Sequence, residues 1–168
     1  MKTLALGLLL GICAIAQKID VEADTTADFT RFHSFAIRDG RLNSKNPSLN
    51  NDIVRKRIEA SIQKYFQAKG LTFVPSGPAD LNVRYTFGSV RQTEVDRYPA
   101  GWRGWGTRVV RRPFTEGTLV IDLNDPSTRS LVWRAIARED KADAIKIEGK
   151  LDDMVRKSFD KYPPKIPK

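Results

Sequence analysis

Apolar and polar residues alternate with period two along several stretches, the signature of strands that bury one face. Ile19, Val21 and Ala23 alternate with Lys18, Asp20 and Glu22. Phe35 and Ile37 mark a second strand over Phe32 to Ile37. Leu71 to Val74 is a short third strand, closed by Pro75-Ser76-Gly77-Pro78. Asp80 to Phe87 alternates most cleanly, with Leu81, Val83, Tyr85 and Phe87 on one side. Gly117 to Leu123 and Ser130 to Arg138 repeat the pattern around the turn Asn124-Asp125-Pro126-Ser127-Thr128, which predicts an antiparallel hairpin. In its second arm Leu131, Trp133, Ala135 and Ala137 are expected inward.

Two stretches carry helical spacing instead. Val54, Ile58, Ile62, Tyr65 and Phe66 form one apolar stripe, preceded by Asn50 or Asn51 as cap and ended by Lys69-Gly70. Ile147, Leu151, Met154, Val155, Phe159 and Tyr162 form the second, over about Ile145 to Tyr162, stopped by Pro163-Pro164. One-sided strands and one-sided helices satisfy each other when the helices cover the apolar sheet face. The expected fold is therefore α+β, a two-layer sandwich with an antiparallel sheet and two helices packed on one face. The other face is left open, with Arg84, Thr86, Val120, Asp122, Val132, Arg134, Ile136 and Arg138 on it. Arg84, Arg134 and Arg138 are its candidate contact residues.

The first residues, MKTLALGLLLGICAIAQ, fit neither pattern. Lys2 precedes an apolar run from Thr3 to Ile12, and Ala14-Ile15-Ala16 is a small-residue cleavage pattern before Gln17. This is the three-part layout of a secretory signal, and the run is shorter than the ~20 residues of a spanning helix. Residues 1–16 are expected to be removed and residues 17–168 to form a single domain. Cys13 offers the alternative of a lipid anchor, but bulky Ile12 stands where a lipidation signal needs a small residue, so cleavage after Ala16 is favoured. The expected compartment is the periplasm or cell envelope. The 168-residue chain has 29 basic and 20 acidic side chains; losing residues 1–16 removes only Lys2 from that balance. With Cys13 gone, stability must come from the core, not from disulfides.

Between Val90 and Phe114 the alternation fails, and a long Arg/Trp/Gly-rich loop over about 90–114 is expected. It holds Arg91, Arg97, Arg103, Arg108, Arg111 and Arg112 against Glu94 and Asp96, with Tyr98, Trp102 and Trp105 among Gly101, Gly104 and Gly106. Trp and Arg are the residue types that dominate interface energetics, and Arg forks suit phosphate and carboxylate. Tyr98, Trp102, Arg103, Trp105, Arg108, Arg111 and Arg112 are the candidate partner-binding residues. Two readings stay open: a recognition arm, or a flexible or partly hairpin-like connector whose tryptophans pack back on the sheet.

Catalytic chemistry finds little to work with. His33 is the one histidine, and adjacent Ser34 should point to the opposite face of a strand. One histidine and one cysteine cannot build a zinc site. Asp140, Asp143, Asp152 and Asp153 lie among Lys150, Arg156 and Lys157, as solvated helix faces with local ion pairs do. Gly101 to Gly106 lacks the Lys-Ser/Thr of a phosphate loop. No catalytic residue, metal or cofactor is expected.

Six blocks in register resemble a bacterial envelope family known only as domain of unknown function four-one-three-six. They are Ala27 to Ala36, the helix ending Ala68-Lys69-Gly70, Ala79 to Tyr85, Glu116 to Leu123, Leu131 to Ala135, and the helix ending Phe159 to Pro164. The resemblance implies an exported protein, often a lipoprotein in that family, and brings no activity or cofactor with it. The expected function is an exported, non-enzymatic binding or assembly module of the bacterial cell envelope. Its partner would be an envelope protein or an anionic envelope component, peripheral membrane contact being compatible with both. The alternatives are a basic nucleic-acid or polyanion binder, suggested by net charge, and an unrecognised hydrolase. Export removes the usual nucleic-acid partner, so none is expected.

Overall fold

The structure, a computed structural model, describes residues 17–99 and 107–165, with side chains described outside 90–116 and 140–142. The chain runs β1 (Lys18–Ala23), β2 (Ser34–Leu42), α1 (Asp52–Ala68), β3 (Thr72–Phe73), β4 (Leu81–Pro99), β5 (Thr107–Asp125), β6 (Ser130–Ala142) and α2 (Ala144–Phe159). Short 3-10 turns sit at Phe29–Arg31 and Pro47–Leu49. One six-stranded sheet has the order β1-β6-β5-β4-β2-β3.

Both helices cover the same face. Val54, Ile58, Ile62 and Phe66 of α1, and Ile147, Leu151, Met154, Val155 and Phe159 of α2, share one core with Leu81, Val83, Tyr85, Phe87, Leu119, Ile121, Leu123 and Trp133. Each such side chain gains roughly 2 kcal/mol by leaving water, before conformational entropy is subtracted. Aromatic rings form its centre. Phe66 lies 4.7 Å from Phe35 and 4.3 Å from Phe159, and Trp133 stacks on Phe159 at 5.7 Å and 11°. Burial pushes the Tyr162 phenol, which is packed edge-on to Trp133, up to about 12.

Local chemistry places the helix ends. The Asn51 side chain accepts from the amides of Ile53 and Val54, and Gly70 turns the chain at φ 88°. Asp143 accepts from Lys146 N and so caps α2.

The two-layer α+β arrangement is as expected, with three differences in the sheet. Pairing is antiparallel through β1, β6, β5 and β4, but β2 is parallel to both β4 and β3. The helix between β2 and β3 makes this connection a crossover, which carries the chain back to the same end of the sheet. Second, β6 carries a bulge: Leu123 pairs with Trp133 and Asn124 with Leu131, leaving Val132 without a β5 partner. The extra residue reverses the expected facing. Val132 is buried at 3% exposure, and Leu131 is 38% exposed instead of inward. Third, β4 and β5 continue far past the expected strand ends. Residues 90–99 pair with 107–116 where a loop was expected.

Candidate binding surface

The open sheet face is organised by register. Glu22 stands opposite Arg134, Arg134 opposite Asp122, Asp122 opposite Arg84, and Arg84 opposite Asp39. Charge therefore alternates in sign across five strands, which is the favourable arrangement for cross-strand neighbours. Arg134 Nε and one terminal nitrogen donate to the two Asp122 oxygens at 2.7 and 2.8 Å. The hydrogen bonds and charge of Asp122 hold the Arg134 guanidinium above its ordinary range. Arg138 donates to Asp20, and Lys18 stands 3.8 Å from the same carboxylate. Of the three expected contact residues, Arg134 and Arg138 are thus held in ion pairs, while Arg84 is exposed. Half-buried Thr86, Val120 and Ile136 lie between the charged rows.

The β4–β5 hairpin outruns this face. On its β2 side the last pair is Leu42 with Phe87, and on its β6 side the last is Ala142 with Thr115. Gln92 to Pro99 and Thr107 to Phe114 therefore pair only with each other. They form a two-stranded ribbon that continues about 27 Å beyond the six-stranded layer, at ~3.4 Å per residue. The candidate residues of this stretch fall as follows. Tyr98 pairs with Arg108, Arg111 with Val95, and Arg112 with Glu94. Trp102, Arg103 and Trp105 lie outside the described residues, as does Cys13.

Arg31, Phe32, Ala79, Asp80, Asp125, Pro126 and Ser127 line a cleft of about 250 Å³ at the edge of the core. His33, Ser34 and Asp80 meet beside it. Asp80 Oδ2 accepts from the amides of His33 and Ser34 at 3.0 and 2.9 Å and from the Ser34 hydroxyl at 2.8 Å. The amide of Asp80 donates back to Ser34 Oγ at 3.0 Å. The serine proton is thus committed to a carboxylate rather than to the imidazole, and His33 is exposed. This clamp holds the start of β2 to the start of β4. Across the cleft Asp125 is 2% exposed. Burial works against its charge, but the Ser127 hydroxyl and amide and the Arg31 guanidinium keep its carboxyl below the usual range. Among the described residues no cluster of three or more metal-ligating side chains occurs.

Sequence reasoning missed the Asp80 and Asp125 clamps. The available signal was an Asp beside each strand end, where its short carboxylate can accept from backbone amides. Asp152 differs from expectation as well. It accepts from Ser61 Oγ at 2.8 Å and Tyr65 OH at 2.6 Å, so it ties α2 to α1 instead of only facing water. Asp153 behaves as expected, paired with Arg156 and Lys157.

A family model described as Domain of unknown function (DUF4136) matches residues 19–164. No curated protein matches the chain. Among solved structures, a PDZ domain protein from Parabacteroides distasonis is similar with a TM-score of 0.61 at 14% identity, over 88% of this chain. The chain spans only 36% of the length of that protein's chain. A PelC dodecamer from Paraburkholderia phytofirmans is similar with a TM-score of 0.51 at 13% identity, over 86% of this chain and 95% of that one. At these identities the likeness is one of fold.

Proposed function

The chain belongs to the DUF4136 family, and from that premise we propose that it is an exported, non-enzymatic binding or assembly module of the bacterial cell envelope. The contact surface is the β4–β5 ribbon together with the open sheet face around Arg84. The observation that carries this reading is the ribbon itself. A two-stranded ribbon is marginal alone in water, yet this one extends past every other strand of the sheet. The sequence within and between its two strands holds Tyr98, Trp102, Arg103, Trp105, Arg108, Arg111 and Arg112. Such a composition gains most when its aromatic and guanidinium groups are covered by a partner.

Three further observations support it. The first 16 residues carry the layout of a secretory leader. The Ser34 hydroxyl is consumed by Asp80, which supports binding over hydrolysis. The PelC neighbour is a dodecamer, so a chain of this fold can take part in an assembly. The partner is an envelope protein or an anionic envelope component that presents carboxylates or phosphates to the arginines.

A photo-crosslinking residue in place of Trp102, activated in intact cells, tests this. The expected product is a defined adduct with an envelope component, identified by mass spectrometry. Adducts confined to cytoplasmic proteins or nucleic acid would overturn the reading.

A further inference from the structure

Gln17 is half-buried, and both polar atoms of its side-chain amide are buried with no hydrogen-bond partner among the described residues. It lines an open cleft of about 630 Å³ between the start of β1 and the end of α2, together with Lys18, Ile19, Lys157, Asp160 and Lys161. Lys161 Nζ donates to the carbonyl of Ile19 at 2.6 Å and so ties α2 to the free edge of β1. Gln17 is also the residue that follows the Ala14-Ile15-Ala16 cleavage pattern.

We propose that Gln17 is a modification site: once the leader is removed, the new N-terminal glutamine closes to a pyroglutamyl lactam seated in this cleft. The inference rests on the export reading above. In the step, the freed α-amine nitrogen bonds to the side-chain carbonyl carbon Cδ. The Cδ–Nε2 bond breaks, a proton passes from the amine to the leaving nitrogen, and ammonia departs. Atoms balance, and no oxidant, reductant or co-reactant is needed.

Two features of the cleft favour the lactam over the open form. Cleavage would otherwise add an α-ammonium to a cleft lined by Lys18, Lys157 and Lys161 with Asp160, where Asp20 and Asp153 already face Lys18 and Lys157. Like charges close together are unfavourable, and cyclisation removes this one. The primary amide also leaves two N–H donors to be satisfied where the structure offers it no partner. Both of those donors leave with the ammonia, and the lactam keeps one N–H, on the former α-nitrogen, and one carbonyl.

The test uses the full chain, expressed with its leader and purified for intact mass and for fragmentation of the N-terminal peptide at harvest. The expected product begins at residue 17, is lighter by one ammonia than the unmodified 17–168 chain, and has no free α-amine. Gln17→Glu, which closes far more slowly, is expected to be cut at the same place and to keep its amine. A synthetic peptide of residues 17–26, held in the same buffer for the same time, is expected to keep most of its amine. A product that begins at Gln17 with amine and amide intact overturns the lactam and leaves export standing. Equal conversion of peptide and folded chain overturns the part assigned to the cleft. A product beginning at Met1 overturns the export reading and the lactam with it, whereas one beginning at a lipid-bearing Cys13 overturns the lactam and leaves export standing.

Discussion

Arg134 reaches across from β6 and donates two hydrogen bonds to Asp122 on β5, at 2.7 and 2.8 Å. The pair lies at the centre of the alternating charged row on the open face. Arg134 is 37% and Asp122 23% exposed at the side chain, so water and salt screen part of the attraction. The forked geometry places it near the upper end of exposed pairs, at about 1 kcal/mol. Arg134→Ala is expected to lower Tm by about 2–4 °C. A double-mutant cycle with Asp122→Ala should recover a coupling of roughly 0.5–1 kcal/mol that shrinks in high salt. Zero coupling at low salt would show that the row plays no part in holding the face.

Asp80 makes stability depend on acid. The amide of His33, the hydroxyl of Ser34 and the amide of Ser34 hold its carboxyl below the usual range. Its contribution is therefore present above the unfolded value near pH ~4 and is lost as pH falls through the depressed native value. At neutral pH Asp80→Ala is expected to cost about 1–2 kcal/mol, comparable to losing a helix cap. Asp80→Asn should show a shallower loss of stability than the parent between about pH 4 and pH 2. Parallel urea midpoints across that range would contradict the assignment.

Gly40 and Tyr85 share one space. A Cβ on Gly40 would strike the ring carbon Cζ and the hydroxyl oxygen of Tyr85. That ring is 2% exposed, and its hydroxyl donates to Glu59 Oε1 at 2.9 Å. Gly40→Ala is expected to destabilise by about 1–3 kcal/mol through overpacking. Tyr85→Phe keeps the ring and removes the hydroxyl bond, at about 1 kcal/mol. In a Tyr85→Leu background the Gly40→Ala cost should fall, because the atoms it strikes are gone. Full additivity of the two changes would refute the shared space.

Much of this architecture is legible in residue spacing. The stripe Val54, Ile58, Ile62 and Phe66 is buried as its period implies, and β1 spans the six residues that alternate, Lys18–Ala23. Spacing fails where a local irregularity or a distant partner decides. The bulge at Val132 inverts Leu131 because one inserted residue reverses strand parity, and nothing in Leu131-Val132-Trp133 marks which residue is extra. The parallel edge was readable in principle: strand, helix and strand in succession is the layout of a crossover.

The ribbon, open in the sequence only as a partly hairpin-like connector, is hard to read for a different reason. Period-two alternation marks strands with one buried face. Past Phe87 and Thr115 the hairpin runs beyond its neighbouring strands, so that constraint lapses while backbone pairing continues. The β-branched residues Val90, Thr93, Val95, Val109 and Val110 were the remaining signal of strand. On the open sheet face, the partners Asp122 and Asp20 that Arg134 and Arg138 meet depend on cross-strand register. Only the folded sheet supplies that register.

The central claim is that the residues within and between the two ribbon strands are the contact surface of an envelope module. Replacing Trp102, Arg103, Trp105 and Arg108 together by alanine, then measuring retention of the purified chain on isolated envelopes, tests it most directly. The account predicts an unchanged circular-dichroism spectrum and loss of retention, since three or four charge-assisted or aromatic contacts at ~1.5–3 kcal/mol each would be removed. Retention equal to the parent, with the fold intact, would contradict it.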